Sequence, residues 1–330
     1  MRRPQILQML RQGSSVVCLA LVCFAAAAGC SYDPSPTRPM PAIYQLAQVW
    51  SDSGSGSGQL RHPWDVVLDR HDNVYVIDAG NNRVEVFNTS GGFVREWGDS
   101  GSGIGEFRFP GRLAVDTDGN VYVTDGHNSR VQKFSSGGAF LTQWGTFGTG
   151  NGQFGSPNGI AVDDSGNVYV ADRTGCRIQK FTSNGAYLTQ WGSAGDGDGQ
   201  FAEPAGVAVD DSGNVYVVDS DYAGGHHNRI QKFTSTGAFV TRWGGYGRGP
   251  GQFSSPEGIS LDRAGNVYVT DVYNWRVQKF TQSGAYLAQW SIERETGGGM
   301  YAASGVAVDA SGNAYVACRY NHRILKYSPP

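Results

Sequence analysis

Charge and sulfur are both scarce in this 330-residue chain: Asp, Glu, Lys and Arg make up 17% of it, with five Cys and four Met. A formal net charge of −3 leaves no basic face on which a phosphate backbone would settle, so nucleic acid is not an expected partner. The cysteines cannot frame the fold, because Cys18, Cys23 and Cys30 fall in or beside an N-terminal apolar run and only Cys176 and Cys318 lie beyond it. No segment after residue 30 sustains a helical period of apolar residues, which argues against bundles and α/β layers. The longest apolar run, Val16 to Ala28, is too short to cross a bilayer comfortably. Nucleophile–base motifs, phosphate loops and paired-carboxylate signatures are missing as well.

The N-terminus reads as a targeting segment. Arg2, Arg3 and Arg11 precede the apolar run, which ends Ala27-Ala28-Gly29-Cys30. That ending resembles a bacterial lipobox, with Ala27 where Leu is usual. Residues 1–29 are therefore expected to be a signal peptide of the lipoprotein type, with lipidation at Cys30. The tether is then 30–42, rich in Pro and Ser. Ser31 after the Cys points to the outer membrane if the cell is Gram-negative. Loss of the three Arg would bring the mature chain to about −6.

What the chain has in abundance is repetition. Trp50, Trp97, Trp144, Trp191, Trp243 and Trp290 recur at a period of 47 residues, stretched once to 52 between Trp191 and Trp243. An Asp follows each Trp by 19 residues (Asp69, Asp116, Asp163, Asp210, Asp262, Asp309), then an Asn, then a Tyr. A period of this length marks a solenoid or propeller. Repeat three shows the unit: apolar Gly159 to Asp163, a Ser-Gly-Asn turn, Val168-Tyr169-Val170, the alternating Arg177 to Phe181, and Ala186 to Trp191. Four short strands joined by tight glycine turns, six times over, predict an all-β, six-bladed β-propeller over 43–328. The last unit stops after its third strand at Tyr327, and Ile43 to Trp50 matches a fourth strand. The N-terminal strand should thus complete the last blade and close the ring. Cys176 and Cys318 fall in opposite blades and are not expected to pair.

Blocks such as Pro157-Asn158-Gly159-Ile160-Ala161-Val162-Asp163, Gly166-Asn167-Val168-Tyr169-Val170 and Arg177-Ile178-Gln179-Lys180-Phe181 resemble NHL repeats. So do the linking pieces Trp144-Gly145 and Gly152-Gln153-Phe154. The family so resembled includes a zinc-dependent lyase acting on peptidyl-α-hydroxyglycine, RNA-binding repressor domains and extracellular sensor domains. The lyases carry zinc-binding His directly after the repeated Pro. This chain has no His at those positions, so neither metal nor cofactor is expected.

Repeated polar residues read as structural. An Asp and an Arg five residues on (Asp78 and Arg83, Asp125 and Arg130, and so on) bracket a turn in what reads as six copies. Departures from the repeat are the candidates for function. The residue after the repeated Pro is in turn Trp64, Gly111, Asn158, Ala205, Glu257 and Ser304, and the next is Gly except for Asp65 and Arg112. These positions should ring the mouth of the channel, with Trp64, Asp65, Arg112, Asn158, Glu257 and Ser304 as a ligand site. The alternative is that Asp65 and Arg112 merely pair to close the ring. Asp65 and Glu257, facing each other across the channel, are a possible acid–base pair. The fourth blade carries a longer turn, Ser220 to Asn228, with Asp221, Tyr222, His226 and His227. That turn should share one face with His127, Tyr273, Trp275, Tyr320 and His322, which suits sugar stacking or protein contact. The expected function is a lipid-anchored, monomeric binding or scaffold module in the cell envelope, holding a protein or glycan. The alternative is a lyase or hydrolase acting on envelope peptides or sugars through Asp65, Arg112 and Glu257.

Overall fold

The computed structural model describes residues 44–221, 227–292 and 302–330. The expected signal segment, Cys30, the tether, Tyr222 and His226 lie outside these. Six four-stranded antiparallel sheets form the ring, as the repeat predicts, and a two-stranded parallel ladder joins Asp99–Ser100 to Glu106–Phe107 in the crossover between blades one and two. Blade one runs Pro63–Leu68, Val74–Asp78, Arg83–Phe87 and Phe93–Trp97, from inner strand to outer, and the next four blades follow the same order. Blade six takes Ala303–Val308, Ala314–Cys318 and Arg323–Ser328, and its outer strand is Gln45–Trp50. That strand pairs antiparallel with Arg323–Ser328, Trp50 opposite Ile324. Closure by the N-terminal strand is therefore a feature of the structure.

Each conserved mark of the repeat has a mechanical job. Asp69 accepts from the backbone N–H of His71 and Asn73, from the Asn73 amide, and from the Tyr75 hydroxyl, so the turn is built on one carboxylate. Tyr75 and its five equivalents are fully buried between blades. Each Trp lies at the end of an outer strand and reaches under the next blade. A side-chain carbon on Gly138 would come within 2.9 Å of the Trp97 ring, and one on Gly185 within 2.5 Å of Trp144. The glycine in that turn is what lets the indole lie flat.

The Asp–Arg pairs knit the turn between second and third strands to the loop arriving from the preceding blade. Arg83 donates to Asp78 at 2.9 Å and to the carbonyls of Ser55, Gly56 and Gln59, while Asp78 accepts the Arg61 N–H. The pair exists in five copies rather than six. Blade six has buried Cys318 where the other blades have Asp, and no disulfide joins it to Cys176. Turn and crossover meet again through backbone bonds such as Gly80 N–H to Arg61 O and Arg319 N–H to Ala302 O. These two sets of loops therefore share one face of the ring.

Candidate functional site

The inner strands draw together at that face. Two residues past the start of the inner-strand repeat, a side chain on Gly159 would fall 2.1 Å from Ala205 O, on Gly206 2.5 Å from Glu257 O, and on Gly258 2.6 Å from Ser304 O. Backbones this close tolerate only glycine. The strand register also breaks here in every blade, between Pro110 and Leu113 or Pro157 and Ile160 for example. In blades one and two the glycine is replaced by Asp65 and Arg112, and their side chains occupy the space.

Asp65 and Arg112 form an ion pair of 2.9 Å, both buried. Arg112 also donates to Ser304 O at 3.1 Å, and Asp65 accepts the Leu113 N–H. Glu257 stands 4.0 Å from Arg112 on one side and 4.0 Å from Arg319 on the other. Burial pushes the Asp65 carboxyl up from its ordinary range, with Arg112 opposing the shift. These groups were expected to face an open mouth, with Asp65 and Glu257 on opposite walls. Instead both carboxylates flank a single guanidinium and the channel is stoppered. Ser304 is fully buried, its hydroxyl donating to Pro63 O and Ala317 O, and Asn158 contributes a carbonyl to the Thr124 hydroxyl. Arg112→Ala is expected to cost about 3 kcal/mol in denaturant unfolding at neutral pH, because Asp65 would be left buried without its counter-charge. Arg112→Met combined with Asp65→Asn should recover most of that loss.

Above the stopper the face is aromatic. Trp64, half-buried, meets Phe109 edge-on at 5.1 Å, and Phe109 stacks on His127 at 5.1 Å. The Arg319 guanidinium sits between the Trp64 ring at 4.4 Å and the Tyr320 ring at 4.6 Å, and donates to the Tyr320 hydroxyl. His62 continues the row, 6.2 Å from Tyr320 and 4.6 Å from His322, with its backbone N–H donating to His322 Nδ1. Burial, helped by His62 and Arg61, holds His322 below the usual imidazole range, so that nitrogen stays an acceptor. Tyr273, Trp275 and Tyr320 are 55%, 42% and 48% exposed. Several of these residues sit at left-handed φ: His62 at 51°, Phe109 at 54°, Trp275 at 51° and His322 at 58°. The same conformation recurs at the corresponding positions of other blades, at Asn82, Ser129, Cys176 and Ser255, so it belongs to the turn and crossover of the repeat.

His227 stands apart from the row. Its Nε2 lies 2.6 Å from the exposed Asp196 carboxylate and its Nδ1 3.8 Å from buried Asp219, beside a cleft of about 360 Å³ that Arg229, Arg242 and Trp243 also line. Among the described residues no three His, Cys, Asp or Glu converge as metal ligands.

Sequence reasoning missed Arg319, His62 and Phe109. The same rule would have found two of them one step further out, since His62 and Phe109 precede the repeated Pro; Arg319 takes a turn position filled elsewhere by Ala79, Gly126, Arg173, Ser220 and Val272, so blade three has Arg there too and the repeat gives no signal.

A family model described as NHL repeat matches residues 60–87, 107–134, 154–181, 201–233, 253–280 and 301–327. Among curated proteins, Protein lin-41 of Caenorhabditis elegans is 39% identical over 46 residues, 14% of this chain and only 4% of that protein. A streptogramin B lyase structure matches with a TM-score of 0.61 at 15% identity, over 87% of this chain and 98% of its own. The virginiamycin B lyase of Staphylococcus aureus gives 0.59 at 14%, over 87% and 100%. A gluconolactonase of Xanthomonas campestris gives 0.59 at 16%, over 89% and 99%. At such identities these likenesses are of fold alone.

Proposed function

This chain belongs to the NHL-repeat family, and from that premise we propose that it is a non-catalytic binding module, taking a protein or glycan partner on its aromatic face. The observation that carries the reading is a division of labour at one end of the ring. The charged groups of the mouth are buried and pair with one another, whereas Trp64, Arg319 and Tyr320 form a partly exposed row and Tyr273 and Trp275 are exposed on blade five. Trp, Tyr and Arg are the side chains that dominate binding energy when a partner desolvates them. The enzymatic alternative needs Asp65, Arg112 or Glu257 to reach a substrate, and their mutual pairing disfavours it. In this proposal the ring is exported and held at the cell envelope by lipid on Cys30.

Two variants test it. Trp275→Gly relieves a left-handed φ while removing the indole, and Tyr320→Ala removes the ring that packs on Arg319. Crosslinked capture from envelope extract by the full chain is expected to fall at least tenfold in the double variant. Leu188→Ala, on an exposed outer strand, should leave it unchanged. Undiminished capture by the double variant would sink the proposed face. Cys30→Ser should move the protein out of the membrane fraction, and its retention there would overturn the anchor.

A further inference from the structure

The chain is acidic as a whole, but its cations are not spread evenly around the ring. The two residues before the repeated Pro are Arg61-His62 and Arg108-Phe109 in the crossovers into blades one and two. In the next three crossovers they are Gly155-Ser156, Ala202-Glu203 and Ser254-Ser255. Arg61 and Arg108 are exposed, and neither guanidinium meets an acceptor among the described residues. Both belong to the face of the aromatic row, since Arg61 O accepts from Gly80 N–H and Arg108 O from His127 N–H. Acid is withdrawn from the same arc. Asp78, Asp125 and Glu257 are buried, each against an Arg, and Glu106 folds back onto the Gly103 N–H of its own loop. Asp52 and Asp99 lie two residues past the ends of the outermost strands, toward the rim. The row, stepped at 4.4 to 6.2 Å from His322 to His127, is thus flanked by two positive charges with no acid set against them.

The backbone decides between kinds of anionic chain. The N–H groups of Arg61, His62, Arg108 and Phe109 are already given to Asp78, His322, Asp125 and Asn82. An extended peptide laid along the row would find no strand edge to pair with, and its own amides would be left without partners. What the row offers is side-chain surface. Phe109 and Tyr320 are exposed rings, and the planar forks of Arg61 and Arg108 match a carboxylate two atoms at a time. A sugar ring that bears a carboxylate uses both, with its flat C–H face on an aromatic ring and its charge at a guanidinium. A neutral sugar leaves the two charges idle.

We propose that the arc over blades six, one and two binds a linear acidic polysaccharide, an assignment that rests on the aromatic face being the binding surface. Sugar rings lie on Phe109 and Tyr320, and their carboxylates are held by Arg61 and Arg108.

The test is a calorimetric titration of the full chain with tetragalacturonate at low ionic strength, where the charges are least screened. Saturable binding is expected. Cellotetraose, which has no carboxylate, and tetraglutamate, which has no sugar ring, should each bind at least tenfold more weakly. Arg61→Gln with Arg108→Gln should weaken tetragalacturonate at least tenfold while keeping the parent's urea midpoint, because both side chains are exposed and unbonded. Arg70→Gln with Arg263→Gln removes the same charge from exposed first turns on the opposite face and should bind as the parent does. Phe109→Gly, which also relieves a left-handed φ, should lose at least tenfold through the missing ring. No saturable binding, equal affinities in the two arginine double variants, or tighter binding of tetraglutamate or oligouridylate would overturn the acidic glycan. If capture from envelope extract falls in the Trp275→Gly, Tyr320→Ala variant but tetragalacturonate does not bind, the face stands and only this ligand class is lost. Undiminished capture removes the face itself.

Discussion

Glu85→Gln is expected to stabilise the protein by roughly 4–5 kcal/mol at pH 8 and by little at pH 4, at about 1.4 kcal/mol per unit of pKa shift. Blades two, three and five place Gln opposite Gln on their two outer strands, as in Gln132 with Gln143, whereas blade one places Glu85 opposite Glu96. Arg83 then holds three carboxylates: Asp78 at 2.9 Å, Glu85 at 2.7 Å and Glu96 at 2.8 Å. Burial, with Glu96 and Asp78 adding to it and Arg83 opposing, pushes the Glu85 carboxyl up to about 8 from an ordinary 4.5. The folded protein thus keeps a proton that the unfolded chain releases above pH 4.5. Its stabilising effect is complete below that pH and is lost as the pH climbs toward 8. Glutamine removes the titration and supplies a donor. In blades two to five that amide donates to a loop carbonyl, as Gln132 does to Glu106 O and Gln179 to Gln153 O, while Glu85 Oε2 has no partner among the described residues. Urea unfolding of both proteins from pH 5 to pH 8 checks this. Buried Asp219, pushed up to about 6, titrates in both and cancels from the difference. Curves that stay parallel between pH 6 and 8 would refute it.

Trp50→Ala should cost about 5 kcal/mol, at the upper end for loss of a buried aromatic side chain. Trp50 is the buried end of the closing strand, its ring 5.3 Å from Tyr315 and 6.3 Å from Phe87 of blade one. The other end is held by Tyr44, which stacks on Trp290 at 4.2 Å and shares a hydrogen bond of 3.0 Å with the Tyr268 hydroxyl. One strand therefore ties blades five, six and one, and no covalent link backs it. Trp144→Ala, at a half-buried ring within continuous chain, should cost about half as much, since that blade stays complete. Equal losses in denaturant unfolding of the two variants would show that closure adds nothing to an ordinary inter-blade contact.

The architecture was legible because each blade repeats the same answer: turn carboxylate, buried Tyr, stapling Trp and glycine under it. The stopper was half legible. Asp65 and Arg112 stood out as departures from glycine, and their pairing was one of two readings. What spacing could not reveal was Glu257 on the same guanidinium, because that contact crosses the channel between non-adjacent blades. Arg319 and His62 were overlooked for a related reason. Their partners, Trp64 and His322, belong to the blade across the seam; ring closure brings the two ends of the chain side by side, but which side chains meet there does not follow from spacing. Cys318 marks the limit of reasoning by repetition, since five copies of a pair were extended to a sixth that the chain does not have.

The closing strand also fixes how the ring would respond to tension. Gln45 pairs with Ser328 and Trp50 with Ile324, so the strand begins at the turn face opposite the aromatic row and ends beside it. A pull on the chain before Tyr44, resisted by a partner gripping the aromatic face, runs along the strand axis. The hydrogen bonds to Arg323–Ser328 are then strained together in shear, with the Tyr44 and Trp50 rings wedged at either end, and are not peeled one after another. Under sustained force the lifetime of the ring is set by its unfolding rate. A clasp oriented in this way resists the traction that an anchored, partner-holding ring would feel.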